Sequence, residues 1–402
     1  MTVAGPLMTI YRAIGAGIAV GAASLIGRRL GAGRKEEANK AAGCSIAFFF
    51  IVSGFVTIIC LMNLGTLLRL FGADDSVLPY AESYMFVETV SLALDFFLVV
   101  LVDLVRVEGR PTLANASMIT ASLADLIWSP ILVFGVGPFP ALGIAGAALG
   151  TTIGRGIGVS ILLIYLASGR SIYRFKASYF LPNLKTVTEI YSVGISQTMR
   201  ASGNSISLIL ASRAAASFGV IPLAVLGVVY KVHVVVISFC IGISQGMLPL
   251  VAYNFAAQKK ERVGEIVVKA GLTSTTWGAL WWVVATLLST QVMSLFDTNP
   301  NFLAGGPPAL QIFAFGFFTL GLQQNLSAFF QGIGKAVPSL VVSSSRAIIF
   351  LIPCLLIMPN MFGLVGLWAA YPVADALSLV LTLAWTGIVF RSLEIPFRLH
   401  SA

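Results

Sequence analysis

Apolar segments of 20 or more residues recur from one end of this 402-residue chain to the other. Each is long enough to cross a hydrocarbon core of ~30 Å at a rise of about 1.5 Å per residue. They are continuously apolar and lack alternation, which predicts helices instead of barrel strands. The reading gives about eleven spans, near 5–27, 38–64, 79–105, 113–136, 144–167, 189–215, 223–255, 263–289, 308–331, 338–358 and 364–389. Only 10% of residues are charged, against about 25% in a soluble domain. The chain is expected to be an all-α integral membrane protein.

The net charge of +9 does not point to nucleic acid, because of where the charge lies. Arg28, Arg29, Arg34, Lys35, Arg106, Arg110, Arg170, Arg174, Lys176, Lys185, Lys259, Lys260, Arg262, Lys335, Arg391 and Arg398 fall in alternate loops or the tail, and Arg69 stands alone in the others. That asymmetry predicts a multi-pass membrane protein with its basic loops in the cytoplasm. The first apolar segment has no cleavage pattern and reads as a span, not a signal peptide. Cys44, Cys60, Cys240 and Cys354 sit inside apolar spans and read as packing residues. His233 and His400 form no spaced metal pair. No HExxH motif, nucleophile–base pair or P-loop occurs, which speaks against an enzyme and against ATP drive.

The chain also repeats itself. A shift of 225 residues aligns Gly17 with Gly242, Gly21 with Gly246, Leu25 with Leu250, Ala32 with Ala257, Lys35 with Lys260, Glu36 with Glu261, Leu70-Phe71 with Leu295-Phe296 and Gly109 with Gly334. After a five-residue slip, Gly143 and Gly146 meet Gly363 and Gly366. Two homologous lobes follow, 1–185 and 186–402, and both basic copies are cytoplasmic, so the repeat is parallel. The second lobe opens with a span near 189–215 whose partner would precede Met1, so the architecture reads as two six-helix lobes with the first helix of the first lobe missing. Gly17 and Gly21 suit close approach by a neighbouring helix.

Intramembrane carboxylates are expensive and invite functional readings. Glu88, Asp95 and Asp103 share one span, with Glu88 and Asp95 on one helical face. Asp95 and Asp125 lie nearest mid-membrane and are expected to share a coupling site, with Glu88 beside them, for H⁺ or Na⁺; the residues do not choose between the two ions. Asp103 and Arg106 read as a local ion pair. Asp125 has Arg155 or another buried cation as a possible partner. At the equivalent positions the second lobe has Phe313, Leu320 and Ala328, so the acidic stripe belongs to one lobe. Tyr84, Met85, Gln197, Asn204, Arg200, Gln245 and Asp375 are candidate substrate-binding residues. Arg200, Lys231 and Arg346 either neutralise Asp375 or meet an anionic group on the substrate.

The stretches "GISQGMLPLVAYNFAAQKKERV", "RVEGRPTLANASM", "GIAGAALGTTIGR" and "FGLVGLWAAYPVADALS" together resemble the multidrug and toxic compound extrusion (MATE) transporters, in the bacterial MepA-like branch. The resemblance covers essentially the whole chain. It implies twelve helices in two lobes and export of drugs or metabolites by exchange with H⁺ or Na⁺. Where such proteins tend to write Asn-x-x-Leu-Asp-Pro, this chain reads Asp125-Leu126-Ile127-Trp128-Ser129-Pro130, so the carboxylate has moved one turn. Some relatives have a Glu near the position of Asn204. The leading expectation is antiport of organic cations by a monomer in membrane lipid, without a cofactor beyond the coupling ion. The alternatives are a flippase or exporter of a lipid-linked or anionic metabolite, and a truncated inactive transporter.

Overall fold

The structure, a computed structural model, describes residues 5–70 and 78–396. Arg398 and His400 lie outside the described residues, as does the side chain of Tyr84. Among the described residues every regular element is helical.

Packing divides the chain into two compact units, Met1–Thr198 and Met199–Ala402. Unit 1 contains α1 (Gly5–Gly31), α2 (Lys35–Met62), the short α3 (Leu64–Leu70), α4 (Leu78–Val107), α5 (Pro111–Phe134), α6 (Gly143–Ala167), a 3₁₀ turn (Ala177–Phe180) and the beginning of α7 (Leu184–Ser217). Unit 2 contains the rest of α7, then α8 (Val220–Ala256), α9 (Lys260–Leu287), α10 (Ser289–Ser294), α11 (Pro300–Ala314), α12 (Phe317–Gly332), α13 (Ala336–Ser344), a π-helical stretch (Ser345–Leu351) and α14 (Ile352–Leu393). The sequence boundary, 185/186, lies where α7 begins; packing places the division after Thr198 because the first part of α7 lies against α1.

By length and apolarity, seven described helices qualify as membrane spans, or eight if α11 and α12, bent by 42°, are one. Eleven were expected. α7 and α9 are long enough but carry charged side chains, among them Glu189, Arg200 and Arg213 on α7 and Glu265 and Lys269 on α9. The apolar run Ala336–Leu393 holds two of the expected spans, parted at Gly363 (φ 58°, ψ −141°).

Each unit has its own core. Ile18, Ile26, Phe49, Leu92, Phe96 and Leu101 meet in unit 1, and Phe302, Leu310, Phe313, Phe317, Trp368 and Tyr371 in unit 2. Large apolar side chains such as Phe55, Leu126, Ile164 and Val380 remain exposed, as a surface facing hydrocarbon requires.

The 225-residue repeat is written in the backbone. Left-handed residues recur at Gly33 and Gln258, at Gly109 and Gly334 and at Gly169 and Glu394, and with the five-residue slip at Gly143 and Gly363. The hydrogen bonds recur with them. Gly33 N donates to Leu30 O and Arg34 N to Arg29 O; Gln258 N donates to Phe255 O and Lys259 N to Asn254 O. Such left-handed closure spares the last carbonyls of a helix. Gln258 adopts it at φ 58° despite its Cβ.

Gly17 and Gly21 are approached closely, as their spacing implies. A Cβ on Gly21 would stand 2.0 Å from Ile190 O, and one on Gly194 would stand 2.1 Å from Gly17 O. Thr198 donates to Ala13 O at 3.1 Å and Arg29 pairs with Glu189 at 3.2 Å, fastening α7 to α1 at both ends of this contact. Their repeat partners Gly242 and Gly246 face no atom within 4 Å among the described residues.

Candidate functional site

In unit 1, α4 carries Glu88 and Asp95 seven residues apart, two helical turns, so both point one way. Arg155 on α6 reaches both: its terminal nitrogens donate to Glu88 Oε1 at 3.3 Å, and its Nε lies 3.2 Å from Asp95 Oδ1. Arg12 on α1 adds contacts of 3.3 Å to Asp95 Oδ2 and 3.6 Å to Glu88 Oε1. Two carboxylates and two guanidiniums make a neutral quartet. Its interior is dry at Glu88 (2% exposed) and wetted at Asp95 (22%) and Arg12 (46%). Two turns further along α4, Asp103 pairs with Arg106 at 3.0 Å, the local ion pair its spacing implies.

Asp125 takes no part in the quartet's ion pairs. Ser129, one turn along α5, donates to Asp125 Oδ1 at 2.6 Å, and Thr151 on α6 donates to the same oxygen at 3.0 Å. Both hydroxyls also lie within 3.2 Å of Ala147 O. This group of oxygens exists because α6 approaches α5 on glycines. A Cβ on Gly146 would meet Leu132 O at 2.4 Å, one on Gly150 would meet Ser129 Oγ at 2.4 Å, and one on Gly154 would meet Ala121 O at 2.4 Å. Pro130 lacks an N–H and so leaves the Leu126 carbonyl without its helical donor beside the cluster.

Asp95 and Asp125, expected to share a coupling site, thus have different partners. Asp95 and Glu88 are joined by arginines; Asp125 is held by neutral hydroxyls. Arg155, a possible partner of Asp125, serves Glu88 and Asp95 instead. Helical periodicity assigns residues to faces of their own helix but does not say which neighbour supplies the countercharge. Arg12 and Thr151 carried no signal beyond being polar in an apolar span.

The substrate candidates scatter. Met85 is 1% exposed, packed in unit 1. Gln197 is half-buried on the first part of α7. In unit 2, Arg200 donates to Gln324, which donates to Ser244 Oγ at 3.2 Å. Asp375 accepts from Arg346 Nε, and its backbone carbonyl accepts from Gln323 at 2.7 Å. Asn204 and Gln245 are half-buried. His233 is 7% exposed and stacks among Tyr230, Phe313 and Phe317. Lys231 lies over the Phe296 ring.

The motif Arg106–Pro111 has a different task. Glu108 accepts from Tyr165 Oη at 2.7 Å, Ser171 Oγ at 2.9 Å and the Ile172 N–H at 2.9 Å. Tyr173 donates to Leu104 O, and burial, with the nearby charge of Glu108, pushes its phenol up. One carboxylate thus pins the whole loop after α6.

Two helical units joined by a parallel repeat, with buried ionisable groups in each, is a transporter's arrangement. A family model described as MatE matches residues 1–131 and 198–356. The chain belongs to the MatE family. This MatE chain is a membrane transporter and not an enzyme. Multidrug export protein MepA of Staphylococcus haemolyticus is 23% identical over 368 residues, which cover 90% of this chain and 79% of that protein. Among solved structures, a MATE in the straight conformation superposes with a TM-score of 0.91 at 21% identity, covering 98% of this chain and 87% of that one. A second, a MOP superfamily transporter from Pyrococcus furiosus described as having a binding pocket of reverse polarity, gives a TM-score of 0.91 at 21% identity, with 98% and 88% covered. At these identities the structures establish that the fold is shared.

Proposed function

We propose that this MatE chain is a secondary active exporter of organic cations that exchanges them for H⁺ or Na⁺, with Asp125 at the centre of the coupling-ion site. The observation that carries the reading is the contrast among the buried and half-buried acids of the apolar helices. Glu88, Asp95, Asp103 and Asp375 each have a guanidinium beside them. Asp125 has hydroxyls. A carboxylate in a low-dielectric span without a fixed cation is stabilised by a proton or a mobile cation. Its neighbours Ser129, Thr151 and the Ala147 carbonyl add the hard oxygens that such a cation prefers. The Glu88–Asp95–Arg12–Arg155 quartet is then a positioning network that orders α1, α4 and α6 around the site. Export of drugs by the MepA relatives supports the substrate class.

Antiport follows when cargo and ion favour different states of the transporter, so that binding one displaces the other. The charge asymmetry of the loops supports a cytoplasmic position for the basic ones, in the bacterial inner membrane, and a monomer suffices for this reading. A second reading, export of an anionic or lipid-linked metabolite, draws on unit 2, where Arg200, Lys231 and Arg346 outnumber Asp375. The experiment that tests the first is efflux of a fluorescent organic cation from proteoliposomes under a pH gradient or a Na⁺ gradient, imposed separately. Acceleration by one gradient is expected; acceleration by neither removes the antiport reading.

A further inference from the structure

The cytoplasmic end of unit 2 holds an open pocket of about 1010 Å³. Lys259, Lys260, Arg262 and Arg391 line it together with Glu261 and Glu394, and Phe390, Ile395 and Pro396 form an apolar wall. Lys260 is paired with Glu394 at 3.1 Å. Among the described residues Lys259, Arg262 and Arg391 have no ion-pair partner, and all three are exposed. The pocket is also where α9 begins, with Lys259 as an N-cap that offers no side-chain acceptor, so the partial positive charge of the helix start adds to the field.

The repeat supplies a control for this feature. In unit 1 the equivalents of Lys259, Lys260, Glu261 and Arg262 are Arg34, Lys35, Glu36 and Glu37. There Glu37 takes Arg34 at 3.4 Å and Arg29 at 3.9 Å. In unit 2 the position of that carboxylate is Arg262, so Lys259 and Arg262 lack this local partner. Gln258 and Glu394, the described non-glycine residues held at positive φ, both line this same pocket.

We infer that this pocket binds the headgroup of an anionic phospholipid of the inner leaflet, with Lys259, Arg262 and Arg391 on the phosphate and the acyl chains leaving along Phe390 and Ile395. A soluble phosphate matches the cations but not the apolar wall, and the pocket opens at the ends of the spans Val220–Ala256 and Ala336–Leu393, where headgroups lie. The inference rests on the cytoplasmic placement of the basic loops and is independent of the ion site at Asp125.

The test is native mass spectrometry of the full chain, titrated with phosphatidylglycerol, with phosphatidylcholine, and with phosphatidylglycerol in the presence of glycerol 3-phosphate. The parent is expected to retain phosphatidylglycerol preferentially and to keep it against glycerol 3-phosphate. The triple variant Lys259→Gln/Arg262→Gln/Arg391→Gln is expected to bind it at least about tenfold more weakly, since each cation near a membrane surface contributes about fivefold. Arg34→Gln/Lys35→Gln, at the unit 1 equivalents, is expected to change retention less than about twofold, because Glu37 already holds Arg34 there. The single variant Arg391→Gln, at an exposed position, gives the same reading in smaller measure if the triple variant is poorly made. Equal retention of the two lipids, displacement by glycerol 3-phosphate, or unchanged binding in the unit 2 variants would overturn the assignment.

Discussion

Ser129 stands one helical turn from Asp125 and donates its hydroxyl to Asp125 Oδ1 at 2.6 Å. With Thr151 on the facing helix, it holds this acid without neutralising it. Removing the charge is expected to remove the ion. Asp125→Asn should reach the membrane at parental levels and show no response of efflux to either gradient. Ser129→Ala and Thr151→Val each remove one hard oxygen from the cluster, about 1–2 kcal/mol, and should raise the Na⁺ concentration needed for half-maximal Na⁺-driven efflux by roughly five- to thirtyfold. Parental gradient dependence in Asp125→Asn would move the coupling site elsewhere.

Burial decides how much each arginine of the quartet matters. Arg155 is 9% exposed and touches two acids, of which Glu88 is 2% exposed. Deleting one partner of such a pair leaves an uncompensated buried charge, a loss of about 3–5 kcal/mol. Arg155→Gln should therefore lower the midpoint of thermal unfolding in detergent sharply, and adding Glu88→Gln should restore part of it. Arg12 is 46% exposed, at the first residue of the apolar stretch Arg12–Gly31, so its contacts are far less buried than those of Arg155. Arg12→Gln is expected to cost under about 1 kcal/mol, measured in the same unfolding experiment.

The contact of α7 with α1 leaves no room for a methyl group. Gly21→Ala and Gly194→Ala would each drive a Cβ to within 2.0 to 2.1 Å of a carbonyl oxygen. Each should destabilise the protein by about 1–3 kcal/mol, the usual range for overpacking. Gly242→Ala and Gly246→Ala, whose surroundings among the described residues are open, should leave the unfolding midpoint unchanged. The repeat thus makes the same substitution harmful in one copy and silent in the other.

Gln258 sits in the left-handed region that Gly33 occupies in the first copy. A side chain there costs about 1 kcal/mol relative to glycine. Gln258→Gly is expected to hold or slightly raise stability, and Gly33→Gln to lower it by about 1 kcal/mol, read as paired shifts in unfolding midpoint.

Much of this architecture was legible before any coordinates. Continuous apolar runs mark helices because backbone groups in lipid must bond within their own segment, and the 225-residue register of Gly17, Ala32 and Gly109 marked the two copies. The count of spans was harder. α7 and α9 mix charge into membrane-length helices, and Gly363 breaks a run that apolarity alone leaves whole. The site was legible as a set of residue types and not as a set of pairs. Glu88 and Asp95 were placed on one face, and Asp103 with Arg106, because those relations lie within one helix. Arg12 with Asp95, and Thr151 with Asp125, join different helices, and which helices meet depends on close packing at Gly150 and Gly154, where small residues only permit contact.

The recurrence of turn geometry at 33 and 258 means that gene doubling copied the corners of this chain more faithfully than their side chains. Residues 28–38 and 253–263 are interchangeable modules whose internal bonds coincide. Exchanging one for the other would move side chains from corner to corner while the backbone bonds of the turn stay as they are. The folding instruction carried by each corner, and the membrane chemistry it displays, can therefore drift apart under selection without either disturbing the other.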